Sequence, residues 1–122
     1  MAWKFDNDIP IYIQIMDEIK LRIAQGKLNE GDKVPSVREL ALKAGVNPNT
    51  MQKALAELER EGVLYSNRTA GRFVAKKGDG DRNMRDAIAE KYIFDCVEGL
   101  RGLGYSDEQI LLCIENKLKE RN

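Results

Sequence analysis

The sequence predicts a mainly α fold with one small β-hairpin, and three observations carry that prediction. Apolar residues recur at spacings of three and four in several separate stretches. Two short helices stand back to back in the middle of the chain, each with its own start signal. Directly after them, two β-prone runs flank a small basic turn. In that order the elements form a winged helix-turn-helix, followed by a two-helix tail.

Taking the elements in turn, Ile11, Tyr12, Ile15, Met16, Ile19 and Ile23 write an amphipathic helix over residues 9–25, with Pro10 near its start and Gly26 as its stop. Gly31-Asp32 is a turn signal, and Lys33-Val34 is extended, because the residue before Pro35 is biased away from helix. Ser36 and Glu39 form an S-x-x-E capping box: the hydroxyl takes an orphan backbone N–H and the carboxylate reaches back to the cap residue's own N–H. A helix therefore begins at Val37. Gly45 suits the left-handed position that closes it, and Asn47 caps the next helix with Pro48 at its first position, where the missing N–H costs nothing. In this third helix Met51, Leu55 and Leu58 face inward, leaving Asn49, Gln52, Lys53 and Ala56 outward, and Gly62 ends it.

Val63-Leu64-Tyr65-Ser66 and Arg72-Phe73-Val74-Ala75, joined by Asn67-Arg68-Thr69-Ala70-Gly71, read as a hairpin. Placed after the second helix of such a pair, a hairpin is a wing. Residues 76–82 read as a polar linker, and the Asp79-Gly80-Asp81 fragment within it as turn chemistry, since the remaining oxygen ligands of a calcium loop are missing. Met84, Ile88, Tyr92, Ile93, Cys96, Val97 and Leu100 then give a long fourth helix with a broad apolar face, stopped by Gly102 and Gly104. Ser106 and Gln109 form a second capping box, opening a fifth helix with Ile110, Leu111, Ile114 and Leu118 inward. The expected division is residues 1–77 for the winged helix-turn-helix and 78–122 for a helical dimerisation segment.

With 122 residues and 43% hydrophobic content, one compact domain with an appendage fits better than two large domains. No run is long enough to span a membrane, and the N-terminus lacks the order of a signal peptide, so no membrane partner and a cytoplasmic location are expected. Cys96 and Cys113 sit in apolar helical patterns without metal-ligand spacing and read as core residues. Histidine is absent, which removes the commonest general base and metal ligand; neither catalysis, a metal nor a cofactor is expected.

A formal net charge of zero argues weakly against nucleic acid, because phosphate neutralisation usually shows as a basic excess. The charge is unevenly distributed, however. Residues 47–56 hold no acid, and over residues 67–77 the charges are Arg68, Arg72, Lys76 and Lys77 alone, whereas from Asp86 onward eight acids face five bases.

The leading turn of the second helix of such a pair is the part that enters a major groove. Asn49 and Gln52 carry the donor-acceptor pair that suits adenine N6/N7. Thr50 can bond a phosphate or meet a thymine methyl; Lys53 suits a phosphate or guanine; Arg38, on the first turn of its helix, can place a charge against phosphate. At the hairpin, Arg68, Gly71 and Arg72 suit close approach to a phosphate backbone or minor groove. Each side chain taken alone reads equally as a solvated polar group. Double-stranded DNA is the partner these residues suggest together.

The motifs Asp32-Lys33-Val34-Pro35-Ser36-Val37-Arg38-Glu39-Leu40-Ala41, Gly45-Val46-Asn47-Pro48-Asn49-Thr50-Met51-Gln52-Lys53-Ala54-Leu55, Leu58-Glu59-Arg60-Glu61-Gly62 and Gly71-Arg72-Phe73-Val74 resemble the DNA-binding domain of GntR-family transcriptional regulators. The similarity covers residues 9–75. The two-helix tail resembles the YtrA-like subfamily, whose C-terminal segment dimerises the protein. The resemblance implies that Arg38 touches DNA. Many relatives begin the recognition helix Ser-Arg-Thr-Thr-Val-Arg, where this chain has Asn47-Pro48-Asn49-Thr50-Met51-Gln52: Thr50 matches, but Pro48 and Gln52 replace both arginines, so guanine contacts do not transfer. In the wing Gly71 matches, while Thr69 stands where glycine is usual and Arg72 where threonine is common.

The expected function is therefore a repressor-type regulator binding a palindromic operator as a homodimer. Tyr92, Ile93, Val97 and Leu100, with Ile110, Ile114 and Leu118, offer more apolar surface than two helices bury against one another. A winged-helix protein-interaction module and a sensor for a small-molecule effector of unknown identity are the rivals; an enzyme is the weakest reading.

Overall fold

The computed structural model describes residues 3–76 and 79–120. Its elements run α1 (Ile11–Ala24), α2 (Val37–Ala44), α3 (Pro48–Arg60), β1 (Leu64–Asn67), β2 (Gly71–Val74), α4 (Asp79–Gly102) and α5 (Asp107–Glu120). The chain divides into two compact units, one through Met84 and one from Arg85 onward.

In the first unit, α3 is the central element: α1, α2 and β1 each pack on it. Ile15, Met16, Ile19 and Ile23 of α1, Leu40, Ala41 and Ala44 of α2, and Met51, Ala54, Leu55 and Leu58 of α3 share one buried cluster, with Val34, Leu64 and Val74 closing it. Ile15, Met51, Leu55 and Leu58 are wholly buried, and side chains of that size gain about 1.5–3 kcal/mol each on leaving water. No polar or charged side chain is buried among the described residues. Polar chemistry is therefore confined to the surface, where the outward face of α3 lies.

The helix pair forms as its start signals require. Ser36 Oγ accepts from Glu39 N–H at 3.1 Å, and Gly45 closes α2 with φ +71°, a left-handed conformation that most L residues avoid. The Glu39 carboxylate differs from expectation: its Oε1 accepts the Ser36 hydroxyl at 3.4 Å. Asn47 Oδ1 accepts from Asn49 N–H at 2.8 Å with Pro48 at the first helical position.

The wing pairs antiparallel, Leu64 with Val74 and Tyr65 with Phe73, whose rings stack at 5.6 Å. The extended piece before Pro35 joins it: Lys33 bridges to Phe73, and Val34 N–H donates to Arg72 O at 2.9 Å. Gly71 sits at φ +108°, where an added Cβ would stand 3.3 Å from Lys33 Cε; conformation and close approach both favour glycine there. At the tip, Asn67 Oδ1 accepts from both the N–H and the hydroxyl of Thr69, each at 3.1 Å. This local bonding builds the turn with Thr69 in place of the usual glycine, and no non-glycine residue among those described has positive φ.

Three expectations are corrected in the C-terminal part. Residues 76–82 do not form a linker throughout: residues 77 and 78 lie outside the described residues, but α4 already begins at Asp79. Met84 lies on α4, as its spacing predicts, and packs against the core of the first unit. Of the residues expected to face inward on α5, Ile110 is buried, but Leu111, Ile114 and Leu118 are exposed. Cys96 and Cys113 are exposed thiols and not core residues. For the α5 residues and the cysteines the reason is that apolar spacing shows only that a face needs covering, not what covers it. The second capping box closes in both directions, Ser106 N–H to Gln109 Oε1 at 2.8 Å and Gln109 N–H to Ser106 Oγ at 3.2 Å. Across the same turn Arg101 donates to Asp107 at 3.0 Å, and this hydrogen bond holds the guanidinium above its ordinary pKa.

Candidate nucleic-acid interface

The sequence assigns Asn49, Gln52 and Lys53 to the outward face of α3, and all three are exposed, whereas Thr50 is half-buried. Opposite them Met51 and Leu55 are fully buried, so the face is fixed by the core rather than by its own polar contacts. Arg38 is exposed on the first turn of α2, and Arg68 is exposed at the tip of the wing. Between the start of α2 and the wing lies an open cleft of about 700 Å³, lined by Lys33, Ser36 and Val37 on one side and Asn67, Gly71 and Arg72 on the other. The structure thus brings the entry to α2 and the wing together.

Two cations of this face have intramolecular partners that sequence reasoning missed. Lys53 Nζ stands 4.1 Å from the centroid of the Tyr12 ring on α1, a cation–π contact worth about 0.5–1 kcal/mol at an exposed site. Arg72 is half-buried and donates from Nε to Glu59 Oε1 at 3.0 Å. The Ser66 hydroxyl donates to the same oxygen. Arg72 also donates from Nη1 to Gln52 Oε1 at 3.4 Å. The helical spacing of Gln52 and Glu59, seven residues or two turns apart, was the available signal that they share a face; only the folded hairpin shows that Arg72 crosses it.

In the second unit Tyr92, Ile93, Ile114 and Leu118 are exposed, and Val97 and Leu100 are half-buried. Ile110, 4% exposed, is already covered within its own chain and adds nothing to the open surface. Phe94, Leu103, Leu111 and Leu112, outside the predicted set, are exposed as well. Tyr92, Ile93 and Phe94 are consecutive, and at about 100° per residue they spread round the helix instead of forming one stripe, which is why spacing alone did not pick out Phe94.

A three-helix core with a two-stranded wing, and an outward recognition face on the second helix of the pair, is the geometry of a DNA-binding regulator. Residues 11–74 match the profile of bacterial regulatory proteins of the gntR family. The chain belongs to the GntR family. It is 37% identical over 108 residues to the uncharacterized HTH-type transcriptional regulator YhcF of Bacillus subtilis, covering 88% of this chain and 89% of that one. It is 46% identical over 70 residues to the HTH-type transcriptional repressor YtrA of the same organism, covering 57% of this chain and 54% of the relative. A GntR family transcriptional regulator from Listeria monocytogenes has a similar structure, with a TM-score of 0.79 at 35% identity, covering 92% of this chain and 98% of that one. The chain is therefore a winged helix-turn-helix DNA-binding regulator with YtrA-like relatives, and not an enzyme. Among the described residues, no helix is long and apolar enough to cross a membrane, and no group of three or more His, Cys, Asp or Glu is placed to hold a metal ion.

Proposed function

We propose that this regulator is a repressor acting in the cytoplasm, binding a palindromic operator as a homodimer. The observation that carries the DNA reading is the outward face of α3: Asn49, Gln52 and Lys53 are exposed on its leading turns while the opposite face is wholly buried. Asn49 and Gln52 read base edges, Thr50 and Lys53 meet the backbone or a base, and Arg38, Arg68 and Gly71 approach phosphates. Arg72 serves this face through Gln52.

Dimerisation is supported by the exposed apolar side chains of α4 and α5, above all Ile93, Phe94, Leu111 and Leu118, each more than 60% exposed. A second copy covers them with the same residues in reverse, and two-fold pairing places two recognition helices on half-sites separated by about one helical turn of DNA, ~34–36 Å.

The test is a titration of the full chain with duplex DNA from the region upstream of its own gene, against a scrambled duplex, at two salt concentrations. Tighter binding to an inverted repeat there, weakening as salt rises, is the expected result. Equal, weak binding to both duplexes would favour the protein-interaction module that zero net charge suggests. Sedimentation of the same chain should give a dimer at tens of micromolar, a concentration of ordinary affinities.

A further inference from the structure

Gln52 does not meet DNA as a glutamine without neighbours. The Arg72 guanidinium is held first by Glu59, with Nε to Oε1 at 3.0 Å, and Ser66 from the neighbouring strand bonds the same carboxylate oxygen. The Arg72 side chain is 18% exposed and that of Glu59 27%, so the pair is partly shielded from water. Thus fixed, the other branch of the fork donates to Gln52 Oε1 at 3.4 Å. A guanidinium carries donors only, so chemistry itself decides which end of the amide faces Arg72. It is the carbonyl oxygen. One lone pair of that oxygen is then engaged by a cation, which weakens the oxygen as an acceptor for a second donor and polarises the amide so that its NH2 donates more strongly.

We propose that Arg72 is a positioning residue for base selection: by holding the Gln52 carbonyl oxygen it directs the amide NH2 to the DNA and tunes Gln52 to acceptor-rich base edges, guanine O6/N7 or thymine O4. The adenine N6/N7 pattern, which an unheld glutamine matches with both ends of its amide, is disfavoured twice. Its amino group needs the oxygen that Arg72 occupies, and its partial positive charge faces a fixed guanidinium. The arginine that belongs by position to the wing thereby acts through the recognition helix. This inference rests on the proposal that α3 reads DNA in the major groove.

The experiment uses the full chain. A pool of duplexes with a randomised core is enriched by the wild-type protein, and every single-base-pair variant of the enriched sequence is then titrated with wild type, Gln52→Ala, Arg72→Met and Arg72→Lys. Gln52→Ala should flatten the preference at one base pair in each half-site, where the wild type prefers guanine or thymine. Arg72→Met, which keeps the aliphatic bulk but removes the cation, should shift the preference at that same pair toward adenine by about tenfold, on the scale of one good base contact. Arg72→Lys guards against a folding defect: lysine retains an ion pair with Glu59 but lacks the second branch that reaches Gln52, and the shift should have the same direction. Circular dichroism checks that each variant is folded. A purely structural role for Arg72 would lower affinity for all duplexes alike. An adenine preference in the wild type, a Gln52→Ala profile unchanged at every pair, or wild-type preferences in both Arg72 variants overturns the inference. Failure of the underlying reading is distinguishable, because then no sequence is enriched from the pool at all.

Discussion

In the unit that ends at Met84, Ile15, Met51, Leu55 and Leu58 are fully buried, whereas in the unit that begins at Arg85, Ile93 is 64%, Leu111 69% and Leu118 63% exposed. Both units are helical and both carry apolar residues at helical spacings. The difference is in the supply of facing surface. α1, α2 and β1 all converge on α3, so each apolar stripe of the first unit meets others. The second unit has two helices, and the apolar residues of α4 run round its circumference. Helical periodicity states that a face needs a partner; whether that partner is in the same chain is a matter of tertiary structure.

The sharpest test of this contrast is a pair of alanine substitutions. Leu55→Ala removes a fully buried side chain from the centre of the core and should cost about 2–5 kcal/mol of unfolding free energy in urea denaturation. Leu111→Ala should leave the stability of a single chain within about 0.5 kcal/mol, as exposed positions do, while raising the dimer dissociation constant in sedimentation. If Leu111→Ala destabilised the chain as much as Leu55→Ala at every protein concentration, the contrast would fail.

Removing the second unit asks what its open surface is for. A chain ending after Met84, which keeps the side chain packed against the core, should remain folded but monomeric. Operator affinity should fall by about a hundredfold or more, because linking two half-site contacts supplies a gain of that order without adding a contact. An unchanged affinity in the truncated chain would show that one copy suffices.

Within the first unit, Asn49→Ala should cost about 1–3 kcal/mol on the operator and much less on random duplex, as expected when a base edge loses its partner. Equal losses on both would assign Asn49 to the backbone. Arg38→Ala should have the smallest and least selective effect: affinity declines alike on both duplexes, and the slope of log affinity against log salt flattens by about 0.9, the release of one counterion. An unchanged slope together with unchanged affinity would remove Arg38 from the interface.

Most of the candidate interface was legible in the sequence because local chemistry specifies it. Asn47 and Pro48 start α3 by satisfying or lacking its first N–H groups, and Met51, Leu55 and Leu58 at spacings of three and four fix which side turns inward; Asn49, Gln52 and Lys53 are outward by elimination. Gly45 follows from backbone conformation in the same way. What was not legible involves residues distant along the chain. Arg72 and Gln52 are twenty residues apart, and nothing in either neighbourhood predicts that the wing strand carries a guanidinium across α3.

By itself, then, the sequence determined the helix pair, its caps, the hairpin and the family, since each depends on interactions within a few residues or on motif order. Tertiary structure alone decided that Lys53 lies over Tyr12, that Arg72 is held by Glu59 and bonded to Gln52, and that Cys96, Leu111 and Leu118 are exposed. The physical reason is common to all of these. Hydrogen bonds and backbone conformation act over one turn, whereas burial and long-range pairing depend on which surfaces the whole chain brings together.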